Sequence, residues 1–173
     1  RLAKYGVDAQ IVLTHWRDFH DEEGFDAVYT DEVIVHFNDL GQFFMKVYDL
    51  LHDGARMVNK ELHFPHRSFS QLGRAAAFVH EIYGNTGNYR TLAEELTLAG
   101  EAGFEVRRVH HIPLGHYVKT AERWIANMQE HKKELVALVG PDHYRRFLIY
   151  LKLARQGHAR EKFTLEAIMC RKP

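Results

Sequence analysis

Residues 25–40, FDAVYTDEVIVHFNDL, decide the fold of this chain. The stretch opens as a short apolar strand and ends in polar residues, and the segment 40–51 that follows carries apolar residues at a helical period. After a turn at 52–54 comes a second apolar run, ARMVNKEL, at 55–62. Strand, helix and strand in this order predict a right-handed parallel crossover in an open α/β sheet.

The same unit predicts where a ligand binds, because open α/β sheets bind ligands beyond the carboxyl ends of their strands. Polar residues stand at both of these ends. They are Thr30 to Glu32 after the first strand, and Asn59 and Glu61 at the end of the second.

Length and composition predict one domain, covering residues 1–173, with 46% hydrophobic residues to build a core. Lys plus Arg and Asp plus Glu both number 23, so net charge gives no reason to expect nucleic acid as a partner. The 13 histidines are scattered without an HExxH or CxxC motif, and we therefore expect no metal site. A lone cysteine, Cys170, and the lack of a signal peptide or long apolar span favour a cytoplasmic protein that meets a membrane only peripherally.

The remaining chain reads as further strands and helices. A capping box at Thr91 and Glu94 predicts the start of one helix. The other predicted elements are a helix end at 1–5, strands at 10–13, 104–109 and 163–170, and helices at 68–83, 118–138 and 142–156.

Three pieces of sequence carry a family resemblance: the FDAV strand with His36 beyond it, the segment AGFEV at 102–106, and HYVKTAERW at 116–124. With them the chain resembles class I S-adenosylmethionine (SAM) methyltransferases, and among these the cyclopropane fatty acid synthase and mycolic acid methyltransferase family. The resemblance implies a Rossmann-like sheet with helices on both faces and a final antiparallel strand inserted into it. It also implies SAM as cofactor, an unsaturated acyl chain or similar apolar substrate, and a substrate-covering insertion at 63–90.

The resemblance implies two groups of cofactor-binding residues. Trp16 would stack on the adenine ring, with Arg17 and Asp18 beside it, and Thr30 and Asp31 would face the methionine part. From the residues alone, Trp16 is equally well a packed aromatic residue and Asp18 a turn or helix cap.

In the resembled family a bicarbonate ion is held by a Glu, a His and the Tyr of the HYxxT motif. Tyr117 matches that Tyr, and His36 matches the His that follows the family's Glu. Val35 stands in place of the Glu, Asn59 in place of the His, and Ala154 in place of a further family Cys. The bicarbonate cage is therefore largely absent, which favours simple methylation over ring closure.

Substitute groups lie close by in the sequence. Glu61 is two residues beyond Asn59 and so shares its face of the strand. We hypothesise that Glu61 or Glu32, with Tyr117 and His36, replaces the missing cage and supplies the base.

The chain starts inside a predicted helix and carries no Gly-rich phosphate or cofactor turn. We expect it to be the carboxyl-terminal part of a longer protein, with two strands preceding it. Alternatives that the residues leave open are an N- or C-methyltransferase for a small metabolite, a catalytically silent subunit that supports a partner, and a homo-oligomer.

Overall fold

The computed structural model describes residues 2–6, 8–66, 78, 81–82 and 87–173. Most of the predicted helix 68–83, and with it the centre of the predicted insertion 63–90, lies outside these residues; Phe78, Glu81 and Ile82 are described and helical. The strands are β1 (Phe25–Asp31), β2 (Leu51–His63), β3 (Glu105–His111) and β4 (Thr164–Arg171). The α-helices are α1 (Leu40–Leu50), α2 (Leu92–Glu101), α3 (Gly115–Glu130), α4 (Lys132–Val139) and α5 (Pro141–Ala159), and short 3₁₀ helices cover Leu2–Tyr5 and Ile34–His36.

The four described strands form one sheet in the order β1-β2-β4-β3. β1 and β2 pair in parallel, which confirms the predicted crossover through α1. β4 pairs antiparallel with β2 on one side and with β3 on the other, so the predicted insertion of the last strand is confirmed.

Helices cover both faces of the sheet, as predicted. On one face α1 and α2 bury a core against β2 and β4, and its centre is Phe44, Met57 and Ile168. On the other face Leu62 and Leu165 pack with Leu114, at the start of α3. Alternate residues of β2 therefore serve two different cores.

Helix starts follow from local sequence. Asp39 caps α1, and its side chain accepts a hydrogen bond from the N–H of Gln42 at 3.0 Å. Thr91 and Glu94 form the predicted capping box at the start of α2, with both reciprocal hydrogen bonds present. These caps satisfy N–H groups that the first helical turn leaves without a partner.

The predicted strand at 10–13 is wrong. Residues 8–13 form neither helix nor strand, and Ile11 and Leu13 are 90% and 102% exposed. An apolar run becomes a strand only with a hydrogen-bonding neighbour. None of the residues that the structure describes pairs with this run.

Two element boundaries also differ from the predictions. The turn expected at 52–54 lies inside β2, which starts at Leu51, and Gly54 there has φ +82°. The single helix expected at 118–138 is two helices that meet at His131, whose φ of −96° and ψ of 24° leave the helical region.

Candidate active site

The carboxyl ends of β1 and β2 meet at one edge of the sheet, because the two strands are parallel. Thr30 is in register with Asn59, and Asp31 with Lys60. The N–H of Glu32 then donates to the carbonyl of Lys60 at 2.8 Å and carries the pairing one residue further. Glu32 has φ +52°, a left-handed conformation uncommon for a non-glycine residue that is often found at functional sites.

A charged group that we call the edge cluster (Asp31, Glu32, Lys60 and Tyr117) forms at this edge. The Lys60 Nζ donates to Asp31 Oδ1 at 2.7 Å and to Glu32 Oε1 at 2.9 Å, and the Tyr117 hydroxyl donates to Glu32 Oε1. The hydrogen bond from Lys60 holds the pKa of Asp31 below its usual range. Partial burial lowers the pKa of Lys60, but the bonds to Asp31 and Glu32 outweigh it and raise the pKa. The cluster thus joins Tyr117, from the HYVKT segment, to two of the predicted acidic residues.

Glu61 lies on the opposite face of β2 from Lys60 and is only 4% exposed. Its Oε2 accepts the N–H of Val35 at 3.1 Å, and its Oε1 accepts the N–H of Leu62 at 2.9 Å. Burial raises the pKa of Glu61 to about 7, against the lowering effect of these two bonds, and the nearby charges of Glu32 and Glu95 act in the same direction as burial. A carboxyl group with a pKa near neutrality can hold or release a proton under physiological conditions.

A second group, which we call the buried chain (Thr30, Asn59, Glu95, His63 and Glu166), runs beneath this edge. The Thr30 hydroxyl donates to Asn59 Oδ1, and Asn59 Nδ2 donates to Glu95 Oε1, each at 2.6 Å. The His63 ring bridges two carboxylates, with Nε2 2.6 Å from Glu95 Oε2 and Nδ1 2.8 Å from Glu166 Oε2. Burial lowers the pKa of His63, but the bonds to Glu166 and Glu95 outweigh it and raise the pKa to about 9.

Aromatic rings form a wall on the α3 side of the site. The Tyr117 ring centroid lies 4.9 Å from that of His158, and the His158 centroid lies 5.8 Å from that of Phe163. Tyr89 packs 5.4 Å from Phe163 and 5.6 Å from Phe64. Burial raises the pKa of Tyr89 to about 12, so its hydroxyl stays protonated beside the carboxylates.

The predicted adenine-binding residues lie in the loop before β1. Trp16 packs its edge on Phe43 of α1 at a centroid distance of 5.5 Å, and the Arg17 guanidinium carbon lies 4.5 Å from its ring centroid. Asp18 is exposed, and its N–H closes a turn onto the carbonyl of His15 at 2.9 Å. In the described part of the chain, no hydrogen bond or ring contact joins these three residues to Thr30 or to the edge cluster.

The structure brings several of the predicted catalytic residues together. Tyr117 and Glu32 are in direct contact, and Asn59 and Glu61 occupy one buried face of β2. His36 is exposed at the end of the second 3₁₀ helix, where its N–H donates to the carbonyl of Val33.

Sequence reasoning missed four polar residues of this region: Lys60, His63, Glu95 and Glu166. One signal was available, because Asn59, Glu61 and His63 continue, at every second position, the face of the strand that begins with the apolar Ala55 and Met57. Such a spacing places three polar side chains on one face, and buried polar groups require partners. The identity of those partners depends on contacts between distant parts of the chain.

No group of three or more His, Cys, Asp or Glu side chains in the described residues could hold a metal ion. No helix among them has the length and apolar character needed to cross a membrane.

Comparison with known proteins gives consistent results. The model of the family described as mycolic acid cyclopropane synthetase matches residues 2–168. Cyclopropane mycolic acid synthase 2 of Mycobacterium leprae is 28% identical over 157 residues, which are 80% of this chain and 50% of that protein. A probable fatty acid methyltransferase of Pseudomonas putida is 26% identical over 170 residues, which cover 96% of this chain and 42% of that protein.

Among solved structures, the chain is similar to mycolic acid cyclopropane synthase CmaA1 in its complex with SAH and CTAB. The TM-score is 0.82 with 22% sequence identity, and the match covers 93% of this chain and 59% of that one. This similarity confirms the predicted fold class. The chain spans about half the length of the relatives that it matches.

Proposed function

Since this chain belongs to the mycolic acid cyclopropane synthetase family, we propose that it acts as a SAM-dependent methyltransferase on an unsaturated acyl chain or a similar apolar substrate. The proposal rests mainly on the environment of Glu61. Its side chain is a buried carboxyl group with a pKa near 7, held by two backbone N–H groups at the strand ends where Tyr117 also lies.

The residues at this edge fit a cationic cofactor. Asp31 and Glu32 place two carboxylates at the carboxyl end of β1, and Lys60 is the cation bound between them. Thr30 and Asp31 would hold the methionine part of SAM, and Trp16 with Arg17 and Asp18 would contact the adenine. When bound, SAM supplies an electrophilic methyl group that a carbon–carbon double bond can attack.

This chain's own residues would then handle the proton. The methylated acyl chain carries a positive charge at the carbon next to the new bond, and loss of one proton restores a neutral alkene. The Glu61 carboxylate would take that proton, and its pKa near 7 suits both accepting the proton and releasing it afterwards. The net change is one CH₂ added to the acyl chain, SAM converted to S-adenosylhomocysteine by cleavage of its S–CH₃ bond, and one proton released.

Tyr117 and the aromatic wall would orient the substrate and exclude water. The Tyr117 hydroxyl is fixed by Glu32, which Lys60 holds in turn. Fixed polar groups in a water-poor site stabilise a developing positive charge better than mobile water does. The aromatic rings of Tyr89, Phe64 and Phe163 would line the path of the acyl chain.

The direct experiment supplies SAM and vesicles of monounsaturated phospholipid to the protein and follows acyl mass. We expect a gain of about 14 mass units per methyl transferred, which is the mass of one CH₂. Glu61→Gln and Tyr117→Phe should each reduce the rate by at least about 100-fold, the range typical of a lost acid–base or positioning group. Unchanged turnover in Glu61→Gln would exclude Glu61 as the base.

Two further results separate the alternatives. SAM binding with no change in lipid mass would favour a small-metabolite methyltransferase. No stabilisation of the protein against heat by SAM or S-adenosylhomocysteine would favour a catalytically silent subunit.

Helices α3 to α5 also support peripheral contact with a membrane that holds the substrate. Residues 115–159, which span these three helices, contain eight Lys and Arg against four Asp and Glu, an excess of four positive charges in a chain of zero net charge. Large apolar side chains are exposed on the same helices, namely Trp124, Leu138, Val139, Ile149 and Leu153. Cosedimentation with anionic vesicles but not with zwitterionic vesicles would support this contact, and equal or absent binding to both would contradict it.

A further inference from the structure

The protonation of His63 follows from its geometry. Both ring nitrogens lie within hydrogen-bonding distance of a carboxylate oxygen, at 2.6 Å from Glu95 and 2.8 Å from Glu166. An ionised carboxylate only accepts hydrogen bonds, so both nitrogens must donate and the ring is an imidazolium. His63 is 1% exposed and Glu95 is 2% exposed, so no solvent is available to replace either partner.

The charge on His63 dictates the direction of each bond that follows. With Glu95 ionised, its second oxygen can only accept, so the group of Asn59 that faces it at 2.6 Å is the amide NH₂. The carbonyl oxygen of Asn59 must then point the other way, toward Thr30. The Thr30 hydroxyl can approach that oxygen at 2.6 Å only as a donor.

Thr30 is the outer end of the buried chain, at the ligand-facing edge of the sheet. Its only hydroxyl proton is used by Asn59, so its oxygen presents lone pairs and no proton to anything beyond. Thr30 is partly exposed, and the two residues after it, Asp31 and Glu32, are acidic. The local surroundings therefore match a group that donates hydrogen bonds and carries positive charge.

We propose that His63 and Glu95 are positioning residues that fix the direction of the buried chain, so that Thr30 accepts a hydrogen bond from an N–H group of the ligand, an ammonium in preference to a carboxylate. The inference rests on the proposed function only in taking the ligand to be the amino-acid part of an adenosyl cofactor. The direction of the chain itself is independent of any ligand.

The first experiment measures that direction in the protein without ligand. In ¹⁵N NMR spectra at pH 7, both ring nitrogens of His63 should carry a proton, and the Asn59 side-chain NH₂ should exchange slowly with solvent. Glu95→Gln keeps the shape but offers an NH₂ where a carboxylate was, and it should speed this exchange at least about 10-fold, the effect of one lost strong hydrogen bond. The control His111→Gln changes an exposed residue at the far end of the network, 3.3 Å from Glu166, and should leave Asn59 unchanged.

A neutral His63 at pH 7, or Asn59 exchange in Glu95→Gln equal to that of the unmodified protein, would overturn the proposed direction. His63→Gln provides a second variant with the same expectation. If it fails to fold, Glu95→Gln and the protonation state of His63 still decide the question.

The second experiment measures what Thr30 binds, by calorimetric titration with two adenosyl compounds. Decarboxylated S-adenosylhomocysteine keeps the ammonium, whereas 5′-methylthioadenosine lacks both the ammonium and the carboxylate. Thr30→Val should weaken binding of the first compound by about 10-fold and of the second by less than about twofold, since it removes one charge-assisted bond. Thr30→Ser keeps the hydroxyl and should bind both compounds like the unmodified protein.

Equal weakening of both compounds, or of neither, in Thr30→Val would overturn the ligand assignment. Failure of both compounds to bind the unmodified protein would refute the proposed function and the ligand assignment together. In that case the solvent exchange rate of the Asn59 side-chain NH₂ would still establish or refute the direction of the buried chain.

Discussion

The edge cluster and the buried chain lie on opposite faces of the same two strands, β1 and β2. The charges of the edge cluster are partly exposed to water, whereas those of the buried chain are enclosed in the protein interior. In the edge cluster, Lys60 and its carboxylate partners are partly exposed to water. In the buried chain, His63 and its partner Glu95 are almost fully enclosed. The alternation of side chains along β2 alone separates the two groups, since Lys60 lies between Asn59 and Glu61 in the sequence.

Similar ion pairs that involve the same strand can therefore contribute very different free energies to folding. Exposed pairs contribute little because water and salt screen them and compete for their hydrogen bonds. Breaking a buried pair leaves a charge that neither water nor another group can compensate. We therefore expect the edge cluster to affect substrate handling and the buried chain to affect stability.

The largest effect should come from His63→Gln. Loss of the imidazolium leaves the carboxylates of Glu95 and Glu166 facing each other without a cation, and we expect a loss of about 3–5 kcal/mol in the free energy of unfolding. Denaturant unfolding at pH 7 measures it. The matched control His111→Gln should cost less than about 0.5 kcal/mol, and a similar small cost for His63→Gln would show that the buried ion pairs contribute no more than exposed ones.

Alkaline pH should remove the same contribution from the unmodified protein. The pKa of His63 is raised to about 9 in the folded protein from an ordinary value of 6.5, so its contribution is complete below about pH 6.5 and is lost as pH rises through 9. The difference corresponds to about 3 kcal/mol. Unfolding curves between pH 6 and 10 should show the stability gap between the unmodified protein and His63→Gln shrinking by about that amount, and a constant gap would contradict the assignment.

Glu61 should produce a pH dependence at lower pH. Its pKa is raised to about 7 from 4.5, so the contribution of Glu61 to stability is complete below about pH 4.5 and is lost as pH rises through 7. Glu61→Gln cannot ionise, and its stability relative to the unmodified protein should rise by about 3 kcal/mol between pH 4.5 and pH 8. Chemical denaturation at the two pH values tests this, and parallel curves would show that Glu61 is not a titrating group with a pKa near 7.

The smallest effect on stability should come from the edge cluster. Lys60→Met breaks two partly exposed ion pairs, and we expect a loss of about 0.5–1 kcal/mol. Lys152→Met, on the exposed side of α5, is the matched control and should be near neutral. A loss of 3 kcal/mol or more in Lys60→Met, by urea unfolding, would place the edge cluster in the same energetic class as the buried chain.

The sequence predicted the parts of the fold that are governed by local pattern. The crossover of β1, α1 and β2, the capping box at Thr91, and the final strand each follow from periodicity or from a short motif. The prediction of a strand at 10–13 was wrong because a strand needs a neighbouring strand to bond to, and an apolar run does not reveal whether one is present. The break at His131 was not predicted because the helical period of the sequence continues across it.

The candidate site was predicted only where its residues stand in a local sequence pattern. Tyr117, Glu32, Asn59 and Glu61 were found because they stand at strand ends or in a recognisable motif. His63 was missed because its partners are 32 and 103 residues away in the sequence, and only the folded chain joins them. Sequence spacing is informative within one helix or strand but carries little information about such contacts.

The pH–rate profile of methyl transfer to monounsaturated phospholipid, between about pH 5.5 and 8.5, tests directly whether Glu61 takes the proton. If Glu61 takes the proton, the rate of the unmodified protein should rise with pH and level off above a midpoint near 7, and the residual rate of Glu61→Gln should show no such midpoint. A rate independent of pH, or the same midpoint in Glu61→Gln, would contradict the account.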